Sequence, residues 1–248
     1  MRPCSFCTTD QGATGMTSFH VRRYQPEDAE AVKEVFTLSM GEHVPSTFLH
    51  MLKQPLAQAV LVCVFAGLLV SSRSLILPLL ASALLLAGGR WLVAYIFTRY
   101  IQVCLTKDLG RIQEAYMEPE DCCFWVAESG DRVVATVACL PSTVREESLE
   151  LKRMTVLRSH RGLGVAKALC RTVVEFAHQR GYRAIMLYTS VVQTEAQKLY
   201  EGMGYTRVGE DVVPELLAKL LNFKLIEYKY ELPEGNTDEA ALSDADII

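Results

Sequence analysis

The sequence predicts a mixed α/β domain, a six- to seven-stranded sheet with flanking helices, into which a hydrophobic helical hairpin is inserted. Three observations carry that expectation. After residue 120, short apolar runs and helical patterns follow one another as three strands, a helix, a strand, a helix and two further strands. The strand, helix, strand order in the middle implies a parallel crossover, and the flanking strand pairs imply antiparallel hairpins. Ahead of these elements stand two long apolar stretches with a short polar break between them.

The first eighteen residues contain Cys, Ser, Thr and Gly without a continuous apolar region, so they read as a flexible tail and not as a signal peptide, with Met16 a second possible start. The domain is expected over residues 19–232. It opens with a short strand at Phe19 to Tyr24. Pro26, Glu27 and Asp28 then start an amphipathic helix through about Met40, since proline and acids are first-turn signals. A second short helix is expected around Thr47 to Lys53.

The hairpin is expected over residues 56–97. Leu56 to Val70 carries no charge; Ser71, Ser72, Arg73 and Ser74 form the break; Leu75 to Gly89 is again apolar and continues past Arg90 to Phe97. At about 1.5 Å per residue the first arm covers roughly 22 Å, short of a hydrocarbon core of about 30 Å, so that arm is expected to tilt little, to thin the bilayer or to enter without crossing. A buried core hairpin in a soluble protein has the same pattern.

Beyond Arg99, Asp108 to Met117 reads as a helix and Cys122 to Glu128 as a strand. Gly130 and Asp131 turn the chain into a strand from Arg132 to Leu140. A strand from Leu149 to Leu157 precedes a helix from about Gly164 to Arg180, with Val165, Leu169, Val173 and Phe176 on its apolar face and Gly181 as its terminator. Ala184 to Tyr188 is a strand, Thr194 to Met203 a helix, Tyr205 to Val208 and Phe223 to Leu232 the last strands, with Pro214 to Leu221 a loop or short helix. Residues 233–248 form an acidic tail expected to be disordered, carrying Glu234, Asp238, Glu239, Asp244 and Asp246 and no Lys or Arg.

That tail accounts for the net charge of -4, and the body is close to neutral. With no basic stripe, nucleic acid is not an expected partner. The eight cysteines are scattered, which fits free thiols better than a disulfide framework. Cys4 and Cys7 form one CxxC without a second pair, so no metal is expected.

The chemistry centres on Arg161, Gly162, Leu163, Gly164, Val165, Ala166 and Lys167, directly after a strand and opening a helix. Glycines there let backbone approach a ligand, and the unpaired amides of the first helical turn favour a phosphate or diphosphate. Arg158 and Arg161 add positive charge. A dinucleotide fingerprint would need a small residue in place of Lys167, and a P-loop would need a GKS or GKT that is absent. A Gly-x-Gly turn alone is equally often a tight strand-to-helix connection.

Arg161, Gly164 and Ala166 match the acetyl-CoA motif of the GNAT superfamily of acetyltransferases: Gln or Arg, two residues, Gly, one residue, then Gly or Ala. Ala196, Gln197, Lys198, Leu199 and Tyr200, then Gly204 and Tyr205, resemble that superfamily's last motif. The hydrophobic insertion with Phe124, Trp125, Val126, Ala127 and Glu128 is similar to the camello or N-acetyltransferase 8 subgroup. The resemblance covers about residues 19 to 232 and implies the GNAT fold, with acetyl-CoA as cosubstrate and an amine as acceptor. The acceptor is a small amino acid or amino-acid conjugate, or alternatively a protein lysine or N-terminus; a membrane scaffold that has lost catalysis would keep the same fold.

The resemblance also assigns roles. Met154 N–H is the expected donor to the thioester oxygen and Val156 the contact for pantetheine. Glu150 is the expected general base, four residues before Met154 and so on the same face by strand periodicity; a solvated pairing with Lys152 or Arg153 is the plainer alternative. Tyr200 is the expected acid for the leaving thiolate, or else a core aromatic. Gln193 stands where many members carry an Asn that contacts CoA. Lys53, Arg90, Arg99 and Lys107 flank the base of the hairpin and Arg73 its tip, which favours a cytosolic domain on a membrane; the subgroup implies the endoplasmic reticulum and contact with membrane lipid.

Overall fold

The computed structural model describes residues 18–212 and 222–233. Most of the expected tails, residues 1–17 and 234–248, and the expected loop or short helix at Pro214 to Leu221 lie outside the described residues.

Seven strands form one sheet: β1 (His20–Arg23), β2 (Cys123–Ser129), β3 (Arg132–Pro141), β4 (Ser148–Val156), β5 (Ala184–Ser190), β6 (Thr206–Val212) and β7 (Lys224–Glu231), in the order β1-β2-β3-β4-β5-β7-β6. Only β4 and β5 run parallel. They are joined by the amphipathic helix α5 (Val165–Gln179), since parallel neighbours need a crossover connection. Val165, Leu169, Cys170, Val173, Phe176 and Ala177 bury its apolar stripe against one face of the sheet. Gly181 (φ +75°) ends it in the left-handed conformation, Tyr182 N–H reaching back to Ala177 O at 3.0 Å.

The opposite face is covered by α1 (Ala29–Gly41), through Val32, Val35 and Phe36, and by the chain around Leu109, Ile112 and Tyr116. Arg22 of β1 grips both oxygens of Asp28 at 2.7 Å and Glu128 at 2.6 Å, pinning the start of the domain to β2.

After α2 (Val44–Leu52) come α3 (Pro55–Ser72) and α4 (Ile76–Thr106), packed as a hairpin that turns at Arg73, which is left-handed (φ 51°). Their most apolar windows have mean hydropathies of 2.0 and 1.8, and none of the first and 11% of the second is buried. Both helices are long and apolar enough to cross a membrane. At 18 and 31 residues they extend about 27 and about 46 Å.

Three expectations change. The second arm does not end at Phe97: α4 runs on to Thr106 because Ile101 and Cys104 are buried in the core with α1 and β2. The helix expected over Asp108 to Met117 is reduced to one π-type turn, Gln113–Met117. At Gly110 the chain folds back so tightly that a Cβ would lie 2.6 Å from Leu105 O, and a continuous helix cannot pass through that bend. The strand expected at Tyr205 to Val208 extends instead from Thr206 to Val212, since its pairing with β7 continues past a register shift at Arg207/Gly209.

Candidate active site

The parallel pair is short. β4 and β5 are in register only from Ser148 to Leu151 against Ala184 to Leu187, and beyond that point no pairing joins them, which leaves an opening between the two strands. On its other side β4 carries a bulge. Ala138 faces Lys152 and Thr136 faces Thr155, so Arg153 and Met154 together oppose Val137. Arg153 takes the left-handed conformation (φ 54°). Met154 therefore lies at the opening with no register partner on either neighbouring strand.

The bulge corrects the strand-period argument. Without it Glu150 and Met154 would share a face; with the extra residue, Met154 and Val156 pack toward the core under α5. Glu150 shares the opposite face with Lys152, whose Nζ lies 3.1 Å from Glu150 Oε1. The two residues are still on one strand beside the opening, but they approach it from opposite faces.

Where β4 leads into α5, Gly162 (φ +78°) and Gly164 (φ +85°) are both left-handed, and a Cβ on either would meet nothing within 4 Å. The amides of Gly162, Leu163, Gly164, Val165, Ala166 and Lys167 have no acceptor among the described residues; the first paired amide is that of Ala168, to Gly164 O at 3.0 Å. Val165 is buried and Leu163 packs against the core, so what these two offer a ligand is the main chain. Donors without acceptors at a helix start, under open space, are the arrangement a diphosphate fits. Arg161 is drawn inward: its Nε donates to Val156 O at 3.1 Å and its Nη2 lies 2.8 Å from Glu42 at the end of α1. Lys167 lines a cavity of about 590 Å³ between α5 and the end of β7.

Tyr200, on α6 (Thr194–Glu201), is 5% exposed, stacked obliquely with Tyr205 and Tyr228, and its hydroxyl has no hydrogen-bond partner among the described residues. Burial, with a smaller contribution from Cys170, raises its phenol far above the ordinary value, so it is protonated at neutral pH. It is thus both a core aromatic and a neutral donor.

Gln193, the residue expected to contact CoA, is also engaged within the protein. Its Oε1 accepts from Ser190 N–H, Ser190 Oγ and Thr189 Oγ1 at 3.0 to 3.1 Å, and its Nε2 faces His43 Nε2 at 3.1 Å. The side chain closes the β5–α6 turn and joins it to the α1–α2 junction, which leaves at most one N–H for a ligand. His43 was not legible in the sequence, since only the tertiary fold brings it to a residue so distant in the chain. Burial, then Arg161, lowers its pKa below the ordinary 6.5.

A second group that sequence reasoning missed surrounds Tyr188. Its hydroxyl donates to Glu227 Oε1 at 3.3 Å, Arg145 Nε lies 3.2 Å from the same oxygen, and Glu150 sits on the neighbouring strand on the same face. Glu227 is 8% exposed, and Gly209 opposite it leaves the room, since a Cβ there would lie 2.8 Å from Glu227 Oε2. Burial first, then Glu227 and Glu150, raise the Tyr188 phenol. No local pattern marks Glu227; register alone carries it beside Tyr188.

Residues 92–205 match the acetyltransferase (GNAT) family. The chain is 38% identical over 223 residues to human N-acetyltransferase 8B, covering 89% of this chain and 98% of that protein. It belongs to the N-acetyltransferase 8 group of the GNAT family. Rat N-acetyltransferase 8F1 is also 38% identical, over 89% of this chain and its own full length. Among solved structures, a GNAT-family acetyltransferase from Staphylococcus aureus Mu50 superposes with a TM-score of 0.51 at 16% identity, over 87% of this chain and 99% of that one, which shows the shared fold. As a GNAT member the chain is an acetyl-CoA-dependent N-acetyltransferase.

Proposed function

We propose that this N-acetyltransferase is seated in a membrane and acetylates the amino group of a small amino acid or amino-acid conjugate. The single observation that carries the site is the run of unpaired amides from Gly162 to Lys167, under open space and beside the opening between β4 and β5. Acetyl-CoA supplies an acetyl group already activated as a thioester. The amides and the helix start hold its diphosphate. Met154 N–H, unpaired in register, donates to the thioester oxygen, and a donor so placed is worth about 3 kcal/mol as negative charge develops there. Val156, next along the strand, borders the pantetheine arm.

Glu150 takes the proton of the acceptor amine, directly or through water, from the face opposite α5, for a factor of about 10² to 10⁴ in rate. Tyr200 hydrogen-bonds or protonates the departing sulfur, and its raised pKa keeps it a donor. The exposed apolar surfaces of α3 and α4 support a membrane seat. The hairpin returns the chain to the side it left, and Arg73 alone marks the tip while Lys53, Arg90, Arg99 and Lys107 lie near its base. That charge pattern supports a cytosolic domain, and the endoplasmic reticulum rests on the family likeness.

The test is acetyl-CoA turnover by the full chain in lipid against free amino acids, cysteine conjugates and lysine peptides, with a Gly164 variant as blank. Turnover of the first two supports the reading. Turnover of lysine peptides alone would replace it with a protein acetyltransferase, and none above the blank would leave a scaffold.

A further inference from the structure

We propose that Asp108 and Arg153 form a positioning pair through which the membrane hairpin's second helix sets the aim of the Met154 amide. The inference rests on the acetyl-CoA reading above. Arg153 is the first bulge residue of β4, covalently adjacent to Met154, and holds a left-handed conformation that residues with a Cβ disfavour. Something must hold it there. Its Nε lies 2.6 Å from Asp108 Oδ2 and its Nη2 2.7 Å from Oδ1, a two-point grip that fixes direction as well as distance. Its Nη1 lies 3.1 Å from Cys104 Sγ, and its guanidinium carbon sits 5.3 Å from the Phe36 ring centroid.

Asp108 is itself held. Tyr116 Oη donates to its Oδ2 at 2.5 Å, and it follows two residues after α4 ends at Thr106. On the backbone side, Thr136 Oγ1 donates to Arg153 O at 2.8 Å, which leaves the bulge little freedom to rotate. Every grip on Arg153's side chain except Phe36 comes from α4 or the turn directly behind it. The apolar hairpin is therefore continuous with the frame of the oxyanion donor. Both side chains are engaged with each other, Arg153 lying over Phe36 of α1, so the role is positioning.

The experiment uses the full chain in nanodiscs, comparing wild type with Asp108→Asn and with Arg153→Gly, which accepts the left-handed backbone but lacks the grip. Initial rates are measured alongside the infrared carbonyl stretch of bound [1-13C]acetyl-CoA, which responds to a hydrogen bond on the thioester oxygen. The wild-type stretch is expected to fall below its value in water. Both variants should return it toward that value, and kcat should drop about 10- to 100-fold, the scale of a misplacement near 1 Å, while KM for acetyl-CoA stays within about twofold. Arg153→Lys should recover part of both. A variant that binds acetyl-CoA yet keeps the wild-type stretch and kcat overturns the pair. A wild type that binds no acetyl-CoA overturns the underlying reading instead.

Discussion

His43 Nε2 lies 3.1 Å from Gln193 Nε2, joining the end of the first helix to the turn beyond β5 across 150 residues of sequence. Three donors on Gln193 Oε1 fix which way the amide points, so Nε2 donates and the imidazole must accept. The ring is neutral in that contact. One loop thereby holds both flanks of the opening, Glu42 meeting Arg161 on one side and His43 meeting Gln193 on the other.

A pH dependence follows. The folded pKa of His43 is depressed by burial and Arg161, so its contact with Gln193 is intact above the ordinary value of 6.5 and is lost as pH falls through the lower folded value. kcat/KM should fall by about tenfold per pH unit below that point. His43→Gln, which accepts a hydrogen bond without titrating, should flatten the acid limb. A limb unchanged in the variant would assign it to another group.

Gly164→Leu should weaken acetyl-CoA binding by at least about 100-fold, measured by titration calorimetry. No atom lies within 4 Å of a Cβ at this position, so the free protein loses only the left-handed backbone preference, about 1–2 kcal/mol. Unchanged affinity would remove the turn from diphosphate binding.

Tyr200→Phe should lower kcat about 10- to 100-fold with KM for acetyl-CoA within twofold. Its hydroxyl makes no hydrogen bond among the described residues, so thermal stability should change by less than about 1 kcal/mol. Equal turnover in the folded variant would leave Tyr200 a core residue only.

Replacing 56–97 with a short linker should move the protein to the soluble fraction, because it removes the exposed apolar helices and keeps Ile101 and Cys104 in the core. Extending the deletion to Thr106 should abolish folding, since each buried side chain lost costs about 2–5 kcal/mol. Retention of the shorter deletion in washed membranes, read by ultracentrifugation, would contradict the membrane seat.

Most elements were legible in the sequence because they are written locally: the stripe of α5, the Gly130–Asp131 turn, the apolar arms and the glycine turn before Val165. Two of the misses share one cause. The helix expected after Asp108 and the face expected for Met154 were inferred from periodicity, and in both places a single residue with a special backbone position, Gly110 or Arg153, breaks the period.

By itself the sequence determined the sheet's element order, the hairpin and the turn that fits a diphosphate, since each depends on residues close together in the chain. Only the tertiary structure decided that α4 belongs to the core, that Gln193 is spent on His43, and that Glu227 stands beside Tyr188. Those relationships are set by strand register and by packing between segments far apart in sequence, where no local propensity acts.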